Sequence, residues 1–364
     1  MRKALACLAA LLILAGGTAA RAETRITLSF TGDVTLGGVE RGRSNPESFD
    51  SYAAEKGYAY FFQNMQDLFL RDDLTLVNLE GTLTDSTRQE NTKKTFRFRG
   101  ATDYAKILRI GGIEACAIAN NHIMDFGKQG YQSTVETLEK NRLLFCGNEY
   151  DFILDKKGVR IGFFAFQGGY LTQEHIQGIG QRIARMRAEG VGAIVCCFHA
   201  GQEYVPTRRK WDQERYAKIA VQEWGADLVV MHHPHVLQGI DVLDGRYVFY
   251  SLGNFCFGGN TTIRGQEGNA SVRTLETMVL QMDLTFDDAG KLTGQEGRIY
   301  PCYMSSSATK VGGVNDYQPK LVTGAQAEGV IQRIQADTAF DLGAIDPEEG
   351  YLRLPWLAAP EEKE

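Results

Sequence analysis

The chain is 364 residues long, with 23% charged and 43% hydrophobic residues and a formal net charge of −6. That length suits one large domain with elaborations, or a domain plus a small C-terminal piece. The acidic balance argues against nucleic acid or anionic lipid as the main partner.

The chain opens like an export signal. Arg2 and Lys3 precede an apolar or small run at residues 4–17, and Ala20-Arg21-Ala22 offers an A-x-A cleavage site before Glu23. Residues 1–22 are therefore expected to be a signal peptide, placing the mature chain outside the cytoplasm, secreted or periplasmic. Its removal takes Arg2, Lys3 and Arg21 and deepens the net charge to −9. The run falls short of the roughly 20 residues of a membrane-spanning helix; retained uncleaved, it would leave the chain membrane-anchored instead. Cys116, Cys196 and Cys197 sit inside strand-like runs and no C-x-x-C pair occurs, which predicts buried free thiols rather than a cysteine-ligated metal.

Beyond the leader, residues 25–31 alternate like a first strand. Residues 58–69 carry helical periodicity and lead into a strand at 74–77. Residues 82–92 are polar and loop-like, and in 94–99 Phe96 and Phe98 alternate with Arg97 and Arg99, as in a strand. Helices are expected at 102–109 and 128–141, around a strand at 115–119. A hairpin follows, 152–154 and 159–166 about the turn Asp155-Lys156-Lys157-Gly158. Helix 174–189, strand 191–198, helix 208–224 and strand 228–231 continue the alternation, and a second hairpin joins 236–243 to 247–250. Residues 260–270 read as a mobile loop, 271–286 and 298–303 as long strands, 325–337 as a helix, and 355–364 as a loose charged tail. Parallel units mixed with hairpins predict an α/β fold with a sheet sandwich covered by helices.

Five of the six histidines fall in three short segments, each after an apolar run: Asn120-Asn121-His122, His199, and His232-His233-Pro234-His235. Asp33 and Glu80 close similar runs. Adjacent strand ends in α/β sheets converge on one crevice, and imidazole with carboxylate is the ligand chemistry of zinc, manganese or iron. A metal site at a sheet edge is the reading, with one or two divalent ions. In an extended segment His233 and His235 point the same way, and Pro234 stiffens it.

The segments TGDVTLGG, VNLEGTLT, FRFRG, AIANNHIMDFG, HAGQEY, HHPHVLQG and YSLGNF, in this order over residues 26–256, resemble the poly-γ-glutamate capsule biosynthesis (CapA/PgsA) family of the metallo-dependent phosphatase, or calcineurin-like, superfamily. The resemblance implies a metallo-dependent phosphatase-like β-sandwich flanked by α-helices over residues 23–300, with 301–364 as a C-terminal extension. It implies that Asp33, Glu80, Asn121, His199, His233 and His235 hold metal and that His122 assists the leaving group. Three positions depart from the superfamily pattern. Thr35 stands where D-x-H has an imidazole, Glu80 replaces the bridging aspartate, and Met231 replaces a glycine.

Asp125 either orients His122 as the second member of a catalytic pair or caps the following helix. Glu203 and Tyr204 either line the same pocket, binding substrate, or belong to an ordinary loop. Asn254 in YSLGNF reads either as a support behind the ligands or as a turn residue, with the turn role favoured. Arg97 and Arg99 form either a solvated strand face or a substrate-binding pair for carboxylate or phosphate. The resemblance implies a role in making or exporting poly-γ-glutamate or another anionic polymer, with a membrane polyglutamate synthase complex as a candidate partner. The rival reading is an extracytoplasmic metal-dependent hydrolase of phosphoesters or of a glutamate polymer.

Overall fold

Near-continuous apolar strands such as Leu74–Leu79, Ala193–His199 and Leu228–His232 are buried on both faces, as strands inside a layered α/β fold must be. The computed structural model describes residues 23–169, 171–263, 274–310 and 312–360. The leader and most of the 260–270 loop lie outside these residues. In the larger sheet Thr24–Thr35 runs parallel to Leu74–Leu79, which is followed by Ala115–Ala117 and Leu144–Cys146, also parallel. On its other side Glu276–Phe286 and Leu292–Tyr303 pair antiparallel. The second sheet holds Val159–Gln167, Ala193–His199, Leu228–His232 and Arg246–Phe249 in parallel, edged by antiparallel Phe152–Lys156 and Ile240–Leu243.

Strand alternation sorts the side chains into three cores. Leu28, Phe30, Leu76, Phe163, Val195 and Val230 meet between the sheets. Their sequence neighbours Val77 and Leu79 face a helical layer that includes Ala105–Gly111 and Gly127–Lys140. Phe164, Ile194, Phe198 and Met231 face Gln173–Ala188 and the helical stretch 210–223. The product is a helix–sheet–sheet–helix sandwich. All six described cysteines are free and buried.

Several expectations need correction. Residues 58–69 form only a short turn, Tyr58–Tyr60, and one helical turn, Gln66–Phe69. Phe61, Phe62, Met65 and Phe69 are all buried, and Phe61 stacks on Phe49 at 4.3 Å, so aromatic packing produced the periodicity. Only Phe98–Gly100 of the 94–99 segment is strand. Helix 208–224 is one α-turn, Arg215–Lys218, between the π-turns Lys210–Glu214 and Ile219–Glu223.

The expected loose tail is also ordered as far as its strand reaches. Leu352–Ala358 pairs antiparallel with Leu292–Tyr303 and buries Leu352 and Leu354. Because Leu292–Tyr303 runs through residue 300, the C-terminal extension begins inside a strand and completes the larger sheet. No helix among the described residues is long and apolar enough to cross a membrane.

Candidate metal centre

The carboxyl ends of parallel strands from both sheets meet at one point. Asp33 lies near the end of Thr24–Thr35, Glu80 follows Leu74–Leu79, and Asn120 to His122 lie beyond Ala115–Ala117. From the second sheet come His199, closing its strand, and the His232–His235 segment. Close backbone approach fixes Asp33: its N–H donates to Gly253 O at 2.9 Å, and a Cβ on Gly32 would lie 2.2 Å from that oxygen. Only glycine fits there.

Glu80 is fully buried, and neither carboxylate oxygen has a hydrogen-bond partner among the described residues. His122 Nε2, His199 Nε2 and His235 Nε2 each lie 3.7 Å from its Oε1. His235 Nδ1 donates to Asn254 Oδ1 at 2.8 Å and lies 3.2 Å from Asp33 Oδ2. His199 Nε2 lies 2.8 Å from Asn121 Oδ1 and 3.0 Å from His233 Nδ1. Two groups of potential ligand atoms result, Asp33 with Glu80 and His199, and Glu203 with His233 and His235, each gathered within 4.8 Å.

The H-P-H segment reaches this point differently from the extended expectation. His233 has φ +104° and His235 φ +59°, both in the left-handed region that side chains rarely adopt. Such strain persists where surrounding structure imposes it, often at functional sites. His232 turns away, its Nε2 donating to Thr31 O at 2.9 Å, and so joins the sheets instead of the cluster.

Electrostatics agree with a site short of positive charge. Burial lifts the Glu80 carboxyl well above the usual carboxylate range, against the pull of His235 and with added repulsion from Asp33. Burial would also raise Asp33, but the hydrogen bond and charge of His235 hold it below its ordinary value. Burial disfavours charge on His235, yet Glu80 and Asp33 outweigh it and lift the imidazole to about 10. His199 is driven well below its usual value by burial and the neighbouring imidazoles, and His233 falls to about 4 for the same reasons. His199 and His233, held neutral beside these carboxyl groups, fit a divalent cation, which would take the place of the proton on His235. A buried carboxylate with no partner costs several kcal/mol by general experience, and a cation among these nitrogens would supply the missing interaction.

Beside this cluster His122 Nδ1 meets Asp125 Oδ2 at 2.6 Å, and the same oxygen accepts from Phe98 N–H at 2.8 Å. Asp125 is thus tied to His122 and not to the helix N-terminus, whose first residue, Gly127, it precedes. Lys94 Nζ pairs with Asp125 and donates to Asn121 O at 2.7 Å. Burial lowers the pKa of His122, outweighing Asp125. A cavity of about 960 Å³ opens alongside, bordered by Lys94, Asn121, Met124, Phe166 and Arg182.

Arg97 and Arg99 do not line that cavity. Arg97 Nε donates to Glu90 Oε1, and Arg99 Nε to Glu40 Oε2, each at 2.8 Å. Their guanidinium groups hold the protein's own acids. Tyr204 lies by the cluster, its ring centroid 5.9 Å from that of His235. Sequence reasoning missed Asn78, whose Nδ2 donates to Asp33 Oδ1 at 2.7 Å and lies 3.3 Å from His199 Nδ1. An amide within the otherwise apolar run LTLVNL was its signal. It also missed Lys94 and understated Asn254.

A family model described as "Bacterial capsule synthesis protein PGA_cap" matches residues 27–259. The "PGA biosynthesis protein CapA" of Bacillus subtilis (strain 168) is 29% identical over 251 residues, which cover 64% of this chain and 63% of that protein. The "Capsule biosynthesis protein CapA" of Bacillus anthracis is 27% identical over 263 residues, covering 65% and 61%. The chain therefore spans less than two thirds of either relative. A solved structure of a hypothetical protein from Thermus thermophilus aligns with 76% of this chain and 99% of that one, at 15% identity and a TM-score of 0.46.

Proposed function

This chain belongs to the bacterial capsule synthesis (PGA_cap) family, and we propose that it acts outside the cytoplasm in making or exporting a capsule polymer of the poly-γ-glutamate type, through a divalent-metal centre. The observation that carries the metal part is Glu80, a fully buried carboxylate without a hydrogen-bond partner among the described residues and ringed by imidazole nitrogens. Asp33, Glu80, Asn121, His199, His233 and His235 would hold one or two ions. Bound there, manganese, zinc or iron would supply Lewis-acid neutralisation of negative charge on an oxygen-rich substrate group.

The chain's own groups handle orientation and protons. Asp125 grips Nδ1 of His122, so Nε2 faces the Glu80 side of the pocket and can hold or release a proton there. Lys94 braces Asp125 and the Asn121 carbonyl together. That arrangement favours a second reading, a metal-dependent hydrolase of phosphoesters or of a glutamate polymer. Complementation of a deletion strain separates the two. Loss of capsule with His233→Ala and His235→Ala, but not with His122→Ala, supports a non-hydrolytic role in polymer assembly. Loss with all three, together with hydrolysis by the purified wild type, supports the hydrolase. Normal capsule with all three variants contradicts both.

A further inference from the structure

We infer that Glu203 is a metal ligand, and that with His233 and His235 it forms a second, solvent-facing cation position beside the buried one. The inference rests on the metal-centre reading above and assigns to that centre a residue that the sequence left between a substrate contact and an ordinary loop position.

Potential ligand atoms of Glu203, His233 and His235 lie within 4.8 Å of one another, a separate group from Asp33, Glu80 and His199. Two imidazoles and one carboxylate form a complete three-ligand protein set for a zinc-type ion, leaving a position open to solvent or substrate. The loop carrying Glu203 is fastened over this point: Tyr204 N–H donates to Pro234 O at 2.8 Å, between the two histidines. Tyr204 itself has φ +63°, so three residues flanking one spot, with His233 and His235, hold left-handed backbone. Backbone strain of this kind is held by the surrounding structure and clusters at active sites and ligand clamps. Among the described residues no lysine or arginine pairs with Glu203, so its carboxylate is available to a cation.

The two groups touch. His235 Nε2 is 3.7 Å from Glu80 Oε1, and His233 Nδ1 is 3.0 Å from His199 Nε2. They differ in exposure, however, since Asp33, Glu80 and His199 are all buried whereas Glu203 is exposed. The outer ion should therefore bind more weakly and exchange first, while the inner ion is retained.

Titration of the chelator-stripped full chain with Zn²⁺ alone, followed by calorimetry and elemental analysis, tests this. The wild type should take up two equivalents, one tighter than the other. Glu203→Gln should keep the tight equivalent and weaken the other by at least about tenfold, the least that loss of even an outer partner costs. Glu203→His should retain both equivalents, because imidazole can replace the carboxylate, and the exposed position tolerates either change. Two wild-type-like equivalents in Glu203→Gln, or only one in the wild type, would overturn the assignment while leaving the inner site standing. No uptake by the wild type would overturn the metal centre itself.

Discussion

His122 is restrained at one nitrogen only. Asp125 holds Nδ1 at 2.6 Å, while Nε2 stands 3.7 Å from Glu80. It neighbours the metal set without belonging to it, so His122→Ala should keep its metal. If the protein hydrolyses an aryl phosphodiester, that variant should lose about 10²- to 10⁴-fold in rate. Asn121→Ala, by contrast, should lose metal and activity together; equal metal loss in both variants would contradict the division of roles. His233 offers a backbone test. At φ +104° a β-carbon is strained, so His233→Gly should be about 1 kcal/mol more stable than His233→Ala in urea unfolding, though both lose a ligand. An alanine variant as stable as the glycine variant would mean that the backbone is not held left-handed. At this scale the sequence was informative because ligand types are few and stood at the ends of apolar runs. Asn78 and Lys94 escaped because a supporting amide or ammonium carries no pattern of its own and is recognisable only by what it touches.

Elements fared according to how far their signal was local. Gly127–Lys140 and Gln173–Ala188 matched expectation within a residue or two, since each carries its own helical periodicity. The strand Leu352–Ala358 did not, because its place depends on a partner some sixty residues earlier and its Pro355 and charged flank read as a loose end. Its contribution is measurable: Leu354 is fully buried, and Leu354→Ala should cost about 2–5 kcal/mol, seen as a lower denaturation midpoint. A change near zero would mean that the strand adds nothing to the sheet. In the same sheet, Asp72 precedes Leu74–Leu79 and accepts from Thr75 Oγ1 at 2.7 Å. Burial raises its carboxyl from the ordinary 3.8 to about 7. A carboxyl raised on folding contributes stability at low pH and loses it as pH climbs through the folded value. Asp72→Asn should therefore gain stability relative to wild type between about pH 4 and 8, as a series of urea melts would report. A pH-independent difference would contradict the raised value.

Across the whole molecule the functional geometry comes from stacking two sheets. Neither sheet alone assembles the cluster: Asp33, Glu80 and Asn121 come from one, and His199, His233 and His235 from the other. Mixed parallel strands and hairpins made the layered α/β class legible, but the sequence could not show which strand ends would face each other across the interface. Glu80 sits at that junction, and the whole account depends on what satisfies its carboxylate. Anomalous diffraction from crystals of protein purified without chelator measures this directly. The account predicts a transition-metal peak about 2.0–2.2 Å from a Glu80 oxygen, with His199 among the ligands. Full density for the site with no anomalous peak, and Glu80 bonded instead to water or protein donors, would contradict it.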